Sequence, residues 1–126
     1  MEILLDTNFI LTCVRQKIDF AELAEQLTDK KINWIVPQQV LNELGCLKDR
    51  VGMKTADKEA ATLSFEILQV IKPKIIELGR GPNVDIGIVN YIKGKDTVLA
   101  TLDKGLKSRV ENKILTIKGK KNIGFV

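Results

Sequence analysis

Four carboxylates carry the chemistry open to this chain: Asp6, Glu43, Asp85 and Asp103. Asp6 follows the apolar run Ile3-Leu4-Leu5, and Asp103 mirrors it after Val98-Leu99-Ala100-Thr101-Leu102. A short continuous apolar run reads as a strand buried on both faces, as in parallel sheets. Both acids would then stand at the carboxyl ends of central strands, the edge where open α/β folds bind ligands. Glu43 falls between Val40 and Leu44, beside a core-facing helical stripe, where an acid needs a compensating charge. Asp85 stands at a helix start between Val84 and Ile86.

Clustered carboxylates with no imidazole or thiolate among them describe a hard, oxygen-liganded cation, so Mg²⁺ or Mn²⁺. Held close together, like charges repel and take up protons, and a cation relieves this. One or two such ions can activate a water and neutralise charge on a phosphodiester under in-line attack. Taken one at a time, Asp6, Asp85 and Asp103 are better explained by helix capping. Capping leaves Glu43 unexplained, and also the recurrence of acids after apolar strands at one edge. Jointly, the metal site is the better reading.

Composition narrows the alternatives. The histidine count is zero, which removes Ser-His and Cys-His nucleophile pairs and histidine-ligated zinc. Two cysteines, Cys13 and Cys46, cannot make a structural zinc site alone, and read as buried packing residues in a reducing cytoplasm. The 126 residues fit one domain, 1–126, with 118–126 as a basic tail. Neither a membrane span nor a signal peptide is expected, since no long uncharged apolar stretch and no basic-then-apolar leader is seen. A net charge of +4 leans mildly towards a polyanionic partner.

The elements that must position the acids follow in order. A strand at 3–5 leads to a short helix, Asn8 to Val14. Asp19 and Glu22 have capping-box spacing for a helix to about Thr28 that buries Phe20, Leu23, Ala24 and Leu27. A second strand covers 32–36, and Pro37 suits the first turn of a helix from Gln38 to about Leu47. Residues 48–54 read as an exposed charged loop. Thr55 caps a long helix with Leu63, Ile67 and Ile71 inward, which Pro73 stops. A third strand at 75–78 and a loop at 79–82 precede a helix, Val84 to Ile92, capped by Asn83. A strand at 97–101, a short helix from Asp103 through Leu106 and Val110, and a last strand at 113–117 complete the pattern. This alternation predicts a three-layer α/β/α sandwich with a mostly parallel sheet of about five strands.

The combination resembles the PIN-domain nucleases. Asp6-Thr7-Asn8-Phe9-Ile10 resembles their opening Asp-Thr-Asn motif, and Val40-Leu41-Asn42-Glu43-Leu44 is similar to their Glu-bearing second motif. Val84-Asp85-Ile86-Gly87-Ile88 looks like the third, and Ala100-Thr101-Leu102-Asp103-Lys104-Gly105-Leu106 like the fourth. Each motif alone is weak; four in the family's order over nearly the whole chain are strong. The resemblance implies that Asp6, Glu43, Asp85 and Asp103 hold the metal, with Thr7, Asn8 and Thr101 shaping the site. It implies metal-dependent endonuclease activity, most often on RNA, and a homodimer. Many members carry a further acid or polar group after the fourth-motif Asp. Here Lys104 and Gly105 occupy that stretch, which bears on a second metal and not on the first.

Two branches of that family have similar length: VapC-type toxins, paired with an antitoxin, and the rRNA-processing branch, with a ribosome-assembly role. The stretch from Thr101 to Arg109 with the Lys-rich end resembles the latter. Lys48, Arg50, Lys54, Lys104, Lys107 and Arg109 are expected to grip RNA phosphates around the acids, with Lys58, Lys118, Lys120 and Lys121 in support. The bland alternative for such runs is a solvated surface. Trp34, within a strand, reads as core rather than as a base-stacking platform. A phosphoacceptor receiver domain is excluded, because it wants an acid pair after strand one and an Asp after strand three, where Leu78-Gly79 stands. A non-catalytic RNA-binding PIN domain in a ribonucleoprotein remains as a different class.

Overall fold

The computed structural model describes residues 1–50, 52, 54–79 and 83–126. Among these, six strands form one sheet: β1 (Glu2–Leu5), β2 (Asn33–Pro37), β3 (Lys74–Ile76), β4 (Val98–Ala100), β5 (Ile114–Lys118) and β6 (Asn122–Phe125). Their order is β3-β2-β1-β4-β5-β6, and every neighbouring pair is parallel except β5 with β6. The helices are α1 (Thr7–Arg15), α2 (Phe20–Leu27), α3 (Gln38–Asp49), α4 (Thr55–Ile71), α5 (Val84–Ile92) and α6 (Lys104–Ser108).

Successive strand residues point to opposite faces, and here each face meets its own core. Ile3, Leu5, Trp34, Val36, Val98, Ala100 and Leu115 join a cluster with residues of α1 to α4. Leu4, Ile35, Leu99 and Ile114 join the other, with Ile88 and Ile92 of α5 and Leu106 of α6. The predicted three layers are therefore present, and β1, paired with β2 and β4, is buried on both sides as its unbroken apolar run requires. Phe20 stands edge-on between Phe9 (5.7 Å) and Trp34 (5.4 Å), which confirms Trp34 as core.

Several local expectations are corrected. Residues 118–126 are not a tail: Gly119, at φ +68°, turns the chain into β6, which returns antiparallel on β5. That hairpin raises the strand number from five to six. Pro37 ends β2 and precedes α3 without a side-chain cap, while α3 runs on to Asp49 and takes Lys48 out of the expected loop. Thr55 is the first residue of α4 rather than its cap, the role Lys54 holds. The third strand is shorter and earlier, and the short helix α6 stops at Ser108, before Val110. Leu27 and Leu63, expected inward, are 40% and 47% exposed, and Cys46 is exposed while Cys13 is buried. Helical spacing names a face, and tertiary packing decides how far that face is covered. Val51, Met53 and the segment 80–82 of the expected loops lie outside the described residues.

Asp19 accepts from the Glu22 amide at 3.2 Å, the first half of the expected capping box. The aromatic trio is the fold's most sensitive packing point. Phe20→Ala should lower unfolding free energy by about 3–5 kcal/mol. Val70→Ala, on an α4 residue that is 79% exposed, should stay within about 0.5 kcal/mol. Urea unfolding of the two variants checks both.

Candidate metal centre

Asp6 is the first residue past β1 and the most constrained group at this edge. Its amide donates to the Ala100 carbonyl at 3.0 Å, extending the β1–β4 ladder, and its carbonyl accepts from Ile10 as α1 begins. Its side chain is held at both oxygens. Oδ1 accepts from the Thr7 amide at 2.9 Å, and Oδ2 accepts from the Thr101 hydroxyl at 2.8 Å. Thr101, fully buried, in turn accepts from the Asp103 amide at 3.1 Å. One hydroxyl thus couples the ends of β1 and β4.

The other acids come from the helices that begin at or near this edge. Asp103 caps α6, its Oδ1 accepting from the Leu106 amide at 3.0 Å. Asp85 lies on the first turn of α5, whose cap is Asn83: the Asn83 Oδ1 accepts from Asp85 at 2.9 Å and Ile86 at 3.3 Å. Glu43, on α3, is solvent-exposed as a residue, yet its carboxyl lies near the buried Thr7 and Asp6. Asn8 is exposed on α1, and Thr7 is buried beside Asp6.

Electrostatics tie the four together. Burial pushes the Asp6 carboxyl above its ordinary value; the Thr101 and Thr7 hydrogen bonds oppose this, and the charges of Asp85 and Asp103 add to it. Burial also raises Glu43, with the charges of Asp6 and Asp85 adding and the neighbouring Thr7 hydroxyl opposing. The Thr7 Oγ1 is buried and makes no hydrogen bond of normal geometry, so its hold on Glu43 is one of proximity. Among the described residues the one ion pair, Arg15 with Asp57 at 2.8 Å, involves none of the four acids.

Do these residues fit a cation? As the side chains stand, no three of the described acids and cysteines are gathered closely enough to chelate an ion. The donor chemistry nonetheless fits. Two carboxyls raised by burial and by neighbouring acids, Asp6 by Asp85 and Asp103 and Glu43 by Asp6 and Asp85, and an unpartnered buried hydroxyl want a hard positive charge.

Residues 3–120 match the profile of a family described as PIN like domain. The chain belongs to the PIN-like domain family. Among solved structures it is similar to the PIN domain endonuclease Utp24, with 25% identity and TM-score 0.78, covering 98% of this chain and 90% of that one. The fold is also shared with a chain of VapBC2 from Rickettsia felis, solved with a promoter DNA fragment: 15% identity, TM-score 0.64, 94% and 100% covered. A domain of a functionally unknown protein from Methanocaldococcus jannaschii has TM-score 0.55 at 18% identity, with 96% and 94% covered. Among curated proteins, none matches the chain. PIN-family membership, expected from the motifs, and the α/β/α fold, expected from the strand–helix alternation, stand on these likenesses.

The expected basic grip is redistributed. Lys107 Nζ donates to the Thr116 hydroxyl at 3.1 Å, Lys118 to the Phe125 carbonyl at 3.1 Å, and Lys121 to the Gln16 carbonyl at 2.6 Å. Lys48 lies over the Phe65 ring at 5.8 Å, while Lys104, Arg109, Arg50 and Lys54 are exposed. Sequence reasoning passed over Thr116, and also Asn112, whose amide donates to the carbonyls of Ile92, Lys95 and Thr97 at 3.1, 2.9 and 2.8 Å. No periodicity marks either residue. A cavity of about 700 Å³ opens at the opposite, amino-terminal edge beside Glu2, Lys95 and Lys113, away from the four carboxylates.

The raised carboxyls have a consequence for stability. A carboxyl raised in the folded state binds more protons there than in the unfolded chain. The contribution of each group to stability is then highest below its ordinary value, 3.8 for Asp6 and 4.5 for Glu43, and falls as pH rises through the folded value. Glu43 is exposed and solvent screens its part, so Asp6 should dominate. In EDTA, Asp6→Asn should flatten that decline and leave the protein more stable than wild type at neutral pH. Chemical unfolding followed from about pH 4 to about pH 8 checks it.

Proposed function

We propose that this PIN-family protein is a Mg²⁺- or Mn²⁺-dependent endoribonuclease of the cytoplasm, with Asp6, Glu43, Asp85 and Asp103 holding the metal. The observation that carries the reading is a buried Asp6, its carboxylate held by Thr101 and the Thr7 amide, that feels the charges of Asp85 and Asp103, acts in turn on Glu43, and is neutralised by no protein cation among the described residues. Bound there, the ion would supply the Lewis acidity that activates water and offsets charge gathering on a phosphodiester. The chain's own residues orient the site. Thr101 and the Thr7 amide fix the plane of the Asp6 carboxylate, the Asp103 cap leaves its Oδ2 uncommitted, and Thr7 sits between Asp6 and Glu43.

With zero histidines, no imidazole is available as nucleophile or base, and the proposal needs none. RNA as substrate, and a part in rRNA processing, rest on the motif resemblance and on the net charge of +4. Lys104 and Arg109, exposed on and just after the helix that Asp103 caps, are the first phosphate contacts proposed, with Lys48, Arg50 and Lys54 across α3 and α4. A homodimer belongs to the same proposal: Leu63 and Val70 are exposed on α4 beside an apolar groove of 440 Å³, which supports association. The second reading, a VapC-type toxin held by an antitoxin, has behind it the fold shared with the Rickettsia felis chain. An antitoxin gene beside this one would favour it over a ribosome-assembly role.

A labelled structured RNA should be cut with Mn²⁺, left intact with EDTA, and cut at least about a hundredfold more slowly by Asp6→Asn, the scale of losing one charge-stabilising group. Cleavage that survives the substitution would end the proposal. RNA binding without cleavage under any condition would favour a scaffold instead. Replacing Lys104 and Arg109 with Ala should flatten the log–log salt dependence of RNA binding by about 1.4, since each phosphate neutralised on a single strand adds about 0.7 to the slope.

A further inference from the structure

Two glycines stand two residues beyond the two acids at helix starts, in Asp85-Ile86-Gly87 and Asp103-Lys104-Gly105. Neither has a turn to explain it, since both lie inside helices and neither adopts a positive φ. Glycine inside a helix weakens it relative to alanine, so its presence asks for a steric reason.

The neighbouring atoms supply that reason, a severe contact at Gly87 and a milder one at Gly105. A Cβ on Gly87 would lie 2.9 Å from the Leu78 Cβ and 3.4 Å from the Leu78 carbonyl oxygen. The Leu78 Cβ is bonded to the main chain and cannot swing aside as a side-chain tip can. Either α5 or the segment after β3 would have to move. A Cβ on Gly105 would lie 3.2 Å from Asp103 Oδ1, the same oxygen that accepts the α6 capping bond at 3.0 Å. That carboxylate would have to give by a few tenths of an ångström, a shift that bears directly on its cap.

We propose that Gly87 and Gly105 are positioning residues of the metal centre, the missing Cβ atoms setting where Asp85 and Asp103 present their carboxylates. Gly87 acts on the helix as a body: close approach to Leu78 seats the first turn of α5, and Asp85 rides on that turn. Gly105 acts on the ligand itself, leaving clear the space against Asp103 Oδ1. The other helical glycine, Gly45 on α3, has open space around its Cβ position. Gly45 too stands two residues beyond an acid, Glu43, so the crowding belongs to the two acids at helix starts and not to every glycine that follows an acid.

This inference rests on the proposed function, and the test separates the two. Mn²⁺ binding to RNA-free protein, followed by electron paramagnetic resonance, is measured for wild type, Gly87→Ala, Gly105→Ala and Gly45→Ala, together with thermal unfolding in EDTA. Gly87→Ala and Gly105→Ala should each weaken Mn²⁺ binding about tenfold or more, the scale of losing a group that orients a metal ligand. Gly45→Ala should leave binding unchanged. Helix propensity alone would raise the unfolding temperature of all three without touching Mn²⁺. Rescue adds an atom-level check: Leu78→Gly removes the Cβ that Gly87→Ala would strike and should restore Mn²⁺ affinity to that of Leu78→Gly alone. Leu78→Ala keeps that Cβ and should not restore it. Should Gly87→Ala fail to fold, Gly105→Ala, at an exposed position, carries the test. Wild-type affinity in both variants would overturn this inference and leave the proposed function standing. No Mn²⁺ binding by wild type would overturn both.

Discussion

The hydrogen bond from the Thr101 hydroxyl to Asp6 Oδ2, 2.8 Å long, is the contact on which the carboxyl edge depends. It joins the residues that follow the two central strands, and it lies beside the main-chain bond from Asp6 to Ala100. Without it a carboxylate only 8% exposed would face Asp85 and Asp103 with one partner fewer. The cost of burying charge is thereby reduced but not removed, as the raised Asp6 carboxyl shows. A fold selected for stability alone would place an apolar residue here. The strain is tolerated because the same three-layer core is well packed on both faces of β1.

The acids also serve the backbone. Asp6 and Asp103 each give one oxygen to an amide of the helix they open, and Asn83 does this for the helix that carries Asp85. Capping and cation binding are therefore not rivals for these residues. A carboxylate has two oxygens; a cap fixes its orientation with one of them, and orientation is what a ligand to a hard cation needs. For Asp103 the second oxygen is left over. For Asp6 it is held by Thr101, and an oxygen accepting one hydrogen bond retains a further lone pair.

The unbroken apolar run at Ile3–Leu5 announced a two-sided strand, and Asp6 after it announced an edge. The helix that ends near Lys72 was foretold by Pro73. The hairpin at 119–121 was missed because Asn122-Ile123-Gly124-Phe125 is short and carries a glycine where a strand interior does not favour one. The end of α3 was misjudged because Lys48 and Asp49 bury nothing, and a pattern of buried residues cannot mark an exposed helical turn. Lys107 and Thr116 meet across elements nine residues apart, a contact that no local pattern encodes.

By itself the sequence determined the candidate ligand set, four acids with no histidine in the chain, and the strand–helix rhythm that puts two of them at strand ends. Both are local properties: residue type decides which cation chemistry is possible, and apolar periodicity decides secondary structure. Only the tertiary structure decided that Thr101 holds Asp6, that Thr7 is buried without a partner between two acids, and that two helical glycines crowd a neighbour. Those depend on which chain segments approach to within van der Waals contact. That approach is set by the packing of both faces of the sheet together.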